Sequence, residues 1–173
     1  SLGEKFKVQA GLRAEKTDAE GYSVTTDSTN ARNYLNLFPS LFITQKVSKD
    51  YQVTYNYSRR INRPRYEALN PFVFYLDKYT YASGNPYLRP QYTNSFQVVQ
   101  MFKNTYNLTL GYAITNDFMA EIPEQFVETR ITVFQQRNVD RFKDLSATLV
   151  APIKVSAKWD ISKKSVLMEG DVK

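Results

Sequence analysis

Between Ser58 and Pro90 the chain collects residue types suited to gripping a ligand: arginines clustered at 59, 60, 63 and 65 with a fifth at 89, five of the thirteen tyrosines, and four prolines. A guanidinium presents a planar fork of donors that matches carboxylate and phosphate. Tyr66, Tyr75, Tyr79 and Tyr81 offer ring faces on which a sugar or another flat group can stack. Arg60, Arg63, Arg65 and these four tyrosines are therefore the candidate ligand-binding set. The competing account pairs the arginines with Glu67, Asp77 and loop carbonyls, so that they only hold the loop in shape. Glu121, Glu124 and Glu128 also fall close together, but no aspartate-glycine calcium pattern surrounds them, and a solvated loop explains them. Lys5, Lys7 and Arg13 share one face, where they would bias an anionic solute or simply be hydrated.

What is missing narrows the chemistry further. The 173 residues include no histidine and no cysteine. That removes imidazole acid–base catalysis, thiol nucleophiles, disulfides, and zinc or iron–sulfur sites of the usual ligand types. No catalytic constellation remains, so the expectation is a non-enzymatic protein with no metal and no cofactor. The net charge of +6 tolerates anionic partners. Basic and aromatic residues in alternation would also describe a platform for single-stranded nucleic acid. The long, tyrosine-edged strands fit a membrane girdle better, so no nucleic-acid partner is expected.

A stretch so rich in Asn-Pro and Arg-Pro steps cannot continue a strand or helix, because each proline lacks an N–H and restricts its predecessor. The elements that carry it lie on either side. Lys5–Glu15 alternates without a fault, with Phe6, Val8, Ala10, Leu12 and Ala14 on one face. Tyr51–Ile61, Tyr106–Asn116 and Asp144–Val155 do the same. Tyr34–Val47, Asn94–Phe102 and Trp159–Met168 are less cleanly divided, and Pro39 marks a bulge or a skipped ladder bond. Seven strands are expected in a single unit over residues 1–173. Short turns at 48–50, 103–105 and 156–158 alternate with long connections at 16–33, 61–93 and 116–141, so all long loops fall at one end. Within the last connection, Thr129–Phe134 extends the sheet. The fold class is all-β, an antiparallel up-and-down meander of long strands.

The apolar face is either a core or a lipid-facing wall. No apolar run reaches the length of a transmembrane helix, and the charged, alternating start does not read as a signal peptide. The clean strands exceed the usual globular length of about 5–6 residues and match the roughly 9–11 of a tilted membrane strand. Tyr51, Tyr57, Tyr106 and Tyr112 sit at the ends of the apolar rows, where an interfacial girdle belongs. The chain therefore reads as the wall of a membrane-spanning β-barrel. The alternative is a soluble β-sandwich or small closed barrel that binds a hydrophobic or glycan ligand.

The run Tyr57-Ser58-Arg59-Arg60-Ile61-Asn62-Arg63-Pro64, then Leu69-Asn70-Pro71-Phe72, then Gly84-Asn85-Pro86-Tyr87-Leu88-Arg89-Pro90 resembles the barrel of TonB-dependent outer-membrane receptors. The resemblance is closest to the outer-membrane protein β-barrel family common in Bacteroidetes. Asn36-Leu37-Phe38-Pro39-Ser40 and residues 151–159 fit as well, while Gln91 stands where the family has glutamate. The resemblance implies a plugged barrel of 22 strands, of which this chain, without a plug domain, would be a fragment covering about a third. It further implies location in a Gram-negative, Bacteroidetes-like outer membrane and uptake of a small nutrient (glycan, peptide or chelate). Energy would come from a TonB complex that contacts parts absent here. The remaining partners expected are outer-membrane lipid and lipopolysaccharide phosphate at the rim, with self-association through open strand edges.

Overall fold

The computed structural model describes residues 5–23, 27–156 and 159–172. Its strands are β1 (Phe6–Ser23), β2 (Ser28–Lys46) and β3 (Tyr51–Asn62), followed by a one-turn helix α1 (Tyr66–Leu69). Short β4 (Val73–Tyr75) and β5 (Thr80–Ser83) come next, then β6 (Gln91–Phe102), β7 (Tyr106–Phe126), β8 (Ile131–Ser156) and β9 (Trp159–Val172). All join one sheet in the order β1-β2-β3-β6-β7-β8-β5-β4, with β9 also paired to β8. Neighbours are antiparallel except β5 and β8, which run parallel. The seven long strands form a meander; β4 and β5 are an addition inside the central loop.

Register explains why alternation survives across the sheet. Val8, Ile43, Tyr55, Val98, Leu110 and Ala147 form one lateral row. Ala10, Leu41, Tyr57, Phe96, Tyr112 and Leu145 form the next row on that face. The Tyr57 and Phe96 rings lie 4.9 Å apart, within the range for a favourable aromatic pair. On the opposite face the rows are small and polar, such as Gly11, Ser40, Ser58, Ser95, Ala113 and Asp144. There Thr44 meets Thr54 at 3.2 Å, Asn56 donates to Gln97 at 3.2 Å, and Thr93 meets Thr115 at 2.8 Å. Among the apolar side chains on that face, Phe38 is buried beneath the Arg13 guanidinium at 5.0 Å.

The apolar face has no covering layer among the described residues. Phe96 is 47 % exposed, Leu110 42 % and Leu145 52 %, whereas among the described residues the buried hydrophobics are Phe38, Val53 and Leu88. The accessible surface is 13067 Å², against roughly 8,700 Å² for a compact monomer of this mass. A soluble sandwich would have buried this face against a second sheet. A lipid-facing wall has no reason to.

Two of the three connections expected as loops are largely strand. β1 and β2 stay paired up to Ser23 and Ser28, and β7 and β8 up to Phe126 and Ile131. Part of this is expected from the sequence, since Thr129–Phe134 reads as extending the sheet and Ile131–Phe134 does pair with Pro123–Phe126; the other extensions carry no clean alternation. The β7–β8 ladder skips Asp117, whose φ of 52° is left-handed. Tight turns occupy 48–50 and 103–105; the expected turn at 156–158 lies partly outside the described residues. The long hairpins and the central loop project from the end opposite the tight turns.

Candidate functional site

The central loop leaves β3 at Asn62 and returns at Gln91, yet its β5 pairs with β8, Thr80 beside Thr132 through Ser83 beside Gln135. It therefore crosses β6 and β7 to reach the far edge of β8. Short-range bonds set its path. The Asn70 side chain accepts the Phe72 N–H at 3.3 Å, and the Asn85 side chain accepts the Tyr87 N–H at 3.0 Å. Both Asn-Pro steps are thus turns closed by their own asparagine. The Asn85 N–H donates to Ala68 O at 2.7 Å, which draws the second turn against the first. Gly84 lies so close to Asn70 that an added Cβ would sit 2.1 Å from its carbonyl oxygen.

The loop's attachment to the extended β7–β8 hairpin is polar. Asn85 Nδ2 donates to Gln136 O at 3.1 Å, and Gln135 Nε2 donates to Ser83 Oγ and Gly84 O at 3.3 and 3.1 Å. Asn138 accepts the Arg89 N–H at 2.8 Å and donates to Arg89 O at 2.9 Å and Asp117 O at 2.8 Å. Arg89 also pairs with Asp117 at 2.6 Å. Leu88 is fully buried under this seam. Gln91 Oε1 accepts the Met119 N–H at 2.9 Å, so the carbonyl oxygen of this glutamine supplies an acceptor that a glutamate would also offer.

Beneath the loop lies a concavity of about 830 Å³. Arg63, Arg65 and Phe74 line it from the loop, Phe118 and Glu121 from β7, and Phe134 from β8. It opens on the polar face: Arg63 reaches Glu15 Oε2 at 2.9 Å and Thr17 Oγ1 at 3.0 Å on β1, beside the Arg13–Glu15 pair at 3.1 Å. The bond to Glu15 raises the Arg63 pKa above its already high ordinary value, so it stays charged. Phe118 stacks on Phe142 at 4.8 Å, and Phe142 shares its row with the buried, polar-face Thr115. A smaller groove of about 520 Å³ separates the loop from the β7–β8 tip and is lined by Tyr81, Tyr87, Glu124 and Phe126.

Of the seven candidate residues, the structure brings together Arg63 and Arg65. Arg60 is exposed on the polar face, in the row of Thr93 and Thr115. Tyr66 opens α1 and is exposed. Tyr75 packs on Tyr81 at 5.9 Å, and Tyr81 faces the smaller groove. Tyr79 sits under the Lys78 ammonium at 5.6 Å. The four tyrosines do not converge on the arginines. Nor do the arginines pair with Glu67 or Asp77: Arg63 chooses Glu15, while the Asp77 carboxylate accepts the Tyr79 N–H at 2.7 Å. That backbone bond, then Thr80, lowers the Asp77 pKa below its usual 3.8. Glu121 and Glu124 are split, Glu121 lining the large concavity and Glu124 pairing with Arg137. Phe118 and Phe134 went unrecognised as site residues because 116–141 read as a loop; the alternation of Thr129–Phe134 was the available signal.

One sheet, apolar on its outer face and largely small and polar on its inner face, with long connections at one end, defines the wall of a transmembrane β-barrel. Residues 1–168 match the outer membrane protein beta-barrel family, and the chain belongs to that family of the outer membrane. Its fold is similar to the siderophore receptor PirA from Pseudomonas aeruginosa, at 14 % identity over 99 % of this chain and 32 % of that one, with a TM-score of 0.75. It is also similar to the copper transporter OprC, at 12 % identity over 99 % and 27 % of the two chains, TM-score 0.65. The FrpB iron transporter from Neisseria meningitidis matches at 15 % identity over 100 % and 24 %, TM-score 0.58. The chain thus spans between about a quarter and a third of these structures. No curated protein matches it.

Proposed function

We propose that this chain is a wall segment of a TonB-dependent receptor that imports a small nutrient across the outer membrane of a Bacteroidetes-like bacterium, without catalysing a reaction. The observation that carries the reading is the concavity on the polar, lumen-side face, closed over by a loop that spans from β3 to β8. Its arginines and phenylalanines suit a ligand with both an anionic and an apolar part, as an acidic glycan, a peptide or an organic chelate has. Arg65 is the ligand contact of this pair, since Arg63 is held by Glu15 and acts as a positioning residue. Tyr81 lines the smaller groove with Tyr75 packed on it, and the pair serve capture there. The names of the similar structures, a siderophore receptor and copper and iron transporters, fit a small chelated nutrient.

The test is energised uptake by cells that carry the whole receptor. Arg65→Ala is expected to raise the half-saturating nutrient concentration about tenfold, the worth of one charge-assisted hydrogen bond of about 1.4 kcal/mol, with receptor level unchanged. Uptake equal to wild type at every concentration would remove Arg65 from the site. Uptake that continues after the inner-membrane energy supply is collapsed would overturn the transporter class.

A further inference from the structure

We infer that Asp117 is the positioning residue of the large concavity: its left-handed backbone takes Phe118 off the outward face of β7 and sets the ring where a ligand would lie. The use of the ring rests on the reading of the concavity as a ligand site; its placement stands on geometry alone. Among the described residues, the other non-glycine positions with a positive φ are Asp27, Lys103, Asn104 and Arg130. All four lie in hairpin turns, where such a backbone is ordinary. Asp117, at 52°, lies inside a strand.

Strand alternation alone would place Phe118 with Asn116 and Glu124, away from the polar face. Ala113 and Thr115 belong to that face before the break, and Met119 and Glu121 line the concavity after it, so odd-numbered residues point inward on both sides. Glu124 and Phe126 line the smaller groove instead. Phe118 departs from this rule: it lines the concavity and stacks on Phe142, the register partner of Thr115, at 4.8 Å. No inserted residue explains the turn. Asn116 stands opposite Arg141 and Phe118 opposite Val139, so the register is the same before and after Asp117. The rotation therefore resides in the Asp117 backbone, in a conformation that aspartate tolerates better than most residues. Side chains hold it there. The Asp117 carboxylate meets the Arg89 guanidinium at 2.6 Å, and Asn138 Nδ2 donates to the Asp117 carbonyl at 2.8 Å. Gln91 Oε1 accepts the Met119 N–H at 2.9 Å, so the peptide groups on either side of Phe118 are both fixed by side chains of other strands. A strained residue held by several partners beside a concavity is the pattern of a ligand clamp. Phe118 thereby joins Phe74 and Phe134 as the apolar part of a concavity that also holds Arg65.

The test puts para-fluorophenylalanine in place of Phe118 in the full-length protein in lipid nanodiscs and reads its fluorine resonance. Phe142→Leu removes the ring current of the stacked neighbour. It is expected to move the resonance in the wild type and in Asp117→Gly, which accepts a left-handed backbone. In Asp117→Val, which does not, that movement is expected to shrink about threefold as the ring returns to the outward face. Should Asp117→Val fail to insert, Asp117→Ala takes its place by the same criteria, since it lacks the carboxylate as Asp117→Gly does and tolerates the left-handed turn less. A wild-type resonance that ignores Phe142→Leu would overturn the placement, and equal movement in Asp117→Gly and Asp117→Val would overturn the role of Asp117. Phenyl phosphate, a ring bearing an anion, is then titrated into the same samples. It is expected to shift the resonance in the wild type and in Asp117→Gly, and to require about tenfold more in Arg65→Ala. A stacked ring that phenyl phosphate leaves unmoved would overturn the ligand reading of the concavity, while the placement of Phe118 by Asp117 would stand.

Discussion

At the scale of single residues, the central loop depends on atoms that no ligand needs to touch. Gly84 passes Asn70 so closely that a methyl group would meet a backbone oxygen at 2.1 Å, and backbone cannot rotate away as a side chain can. Gly84→Ala is expected to cost about 1–3 kcal/mol of local stability and to speed proteolysis between Asn62 and Gln91, while the belt strands stay protected. Asp77 gives a pH dependence with a definite sign. Its carboxylate is held charged by the Tyr79 N–H and by Thr80, so its folded pKa lies below the usual 3.8. The turn's stabilisation is therefore fully present above the ordinary aspartate pKa and is lost as pH falls through the folded value. Hydrogen exchange at the Tyr79 amide should accelerate over that acid window in the wild type. In Asp77→Asn, which keeps an acceptor and does not titrate, it should not.

At the scale of elements, the loop behaves as a brace between two hairpins. Its parallel pairing with β8 is four residues long, too short to hold by itself, and side-chain amides complete the attachment. Asn138 imitates a strand neighbour by serving both backbone groups of Arg89 while capping Asp117 O. Asn138→Leu would leave these groups without partners in a partly buried seam, at a cost of about 1–3 kcal/mol. The expected outcome is faster hydrogen exchange at Arg89 and Met119, with Leu110 and Val98 unaffected. Equal protection in both proteins would mean that the seam is held by Leu88 and the β5 ladder alone. The same view explains Arg63: its partner Glu15 stands on β1, so one guanidinium ties the loop to a strand two positions beyond β3 in the sheet.

At the scale of the whole molecule, the governing fact is an apolar face with nothing on it but its surroundings. A charge placed there meets hydrocarbon, whereas a charge on the inner face meets water. Leu110→Arg is expected to lower the folded, membrane-inserted fraction of the protein, at about 2–4 kcal/mol near mid-bilayer. Thr109→Arg, one residue away on the hydrated face, is expected to insert normally, as read by heat-dependent electrophoretic mobility. Quenchers in the lipid phase should likewise reach a label at 110 and not one at 109; the reverse pattern would invert the wall. Val53 is a poor place for such a label, being only 6 % exposed among its neighbours.

Much of this was legible in the chain itself. Period-two alternation in Lys5–Glu15, Tyr51–Ile61 and Tyr106–Asn116 determined strands with unlike faces, because side chains of a strand point alternately to its two sides. The tyrosines at the row ends marked the belt, and the spacing of short turns and long connections set the polarity of the meander. The Asn-Pro steps identified the ordered loop around Arg63 and Arg65, since proline and an asparagine-closed turn are local physics. The start of β8 was legible in Thr129–Phe134, but the extensions of β1, β2 and β7 were not: polar residues in a strand exposed on both faces look like polar residues in a loop. Nor did local sequence predict that the loop would cross β6 and β7, pair with β8 and choose Glu15 as its carboxylate. Those contacts join residues far apart in the chain, and only the register of the assembled sheet decides which of them meet.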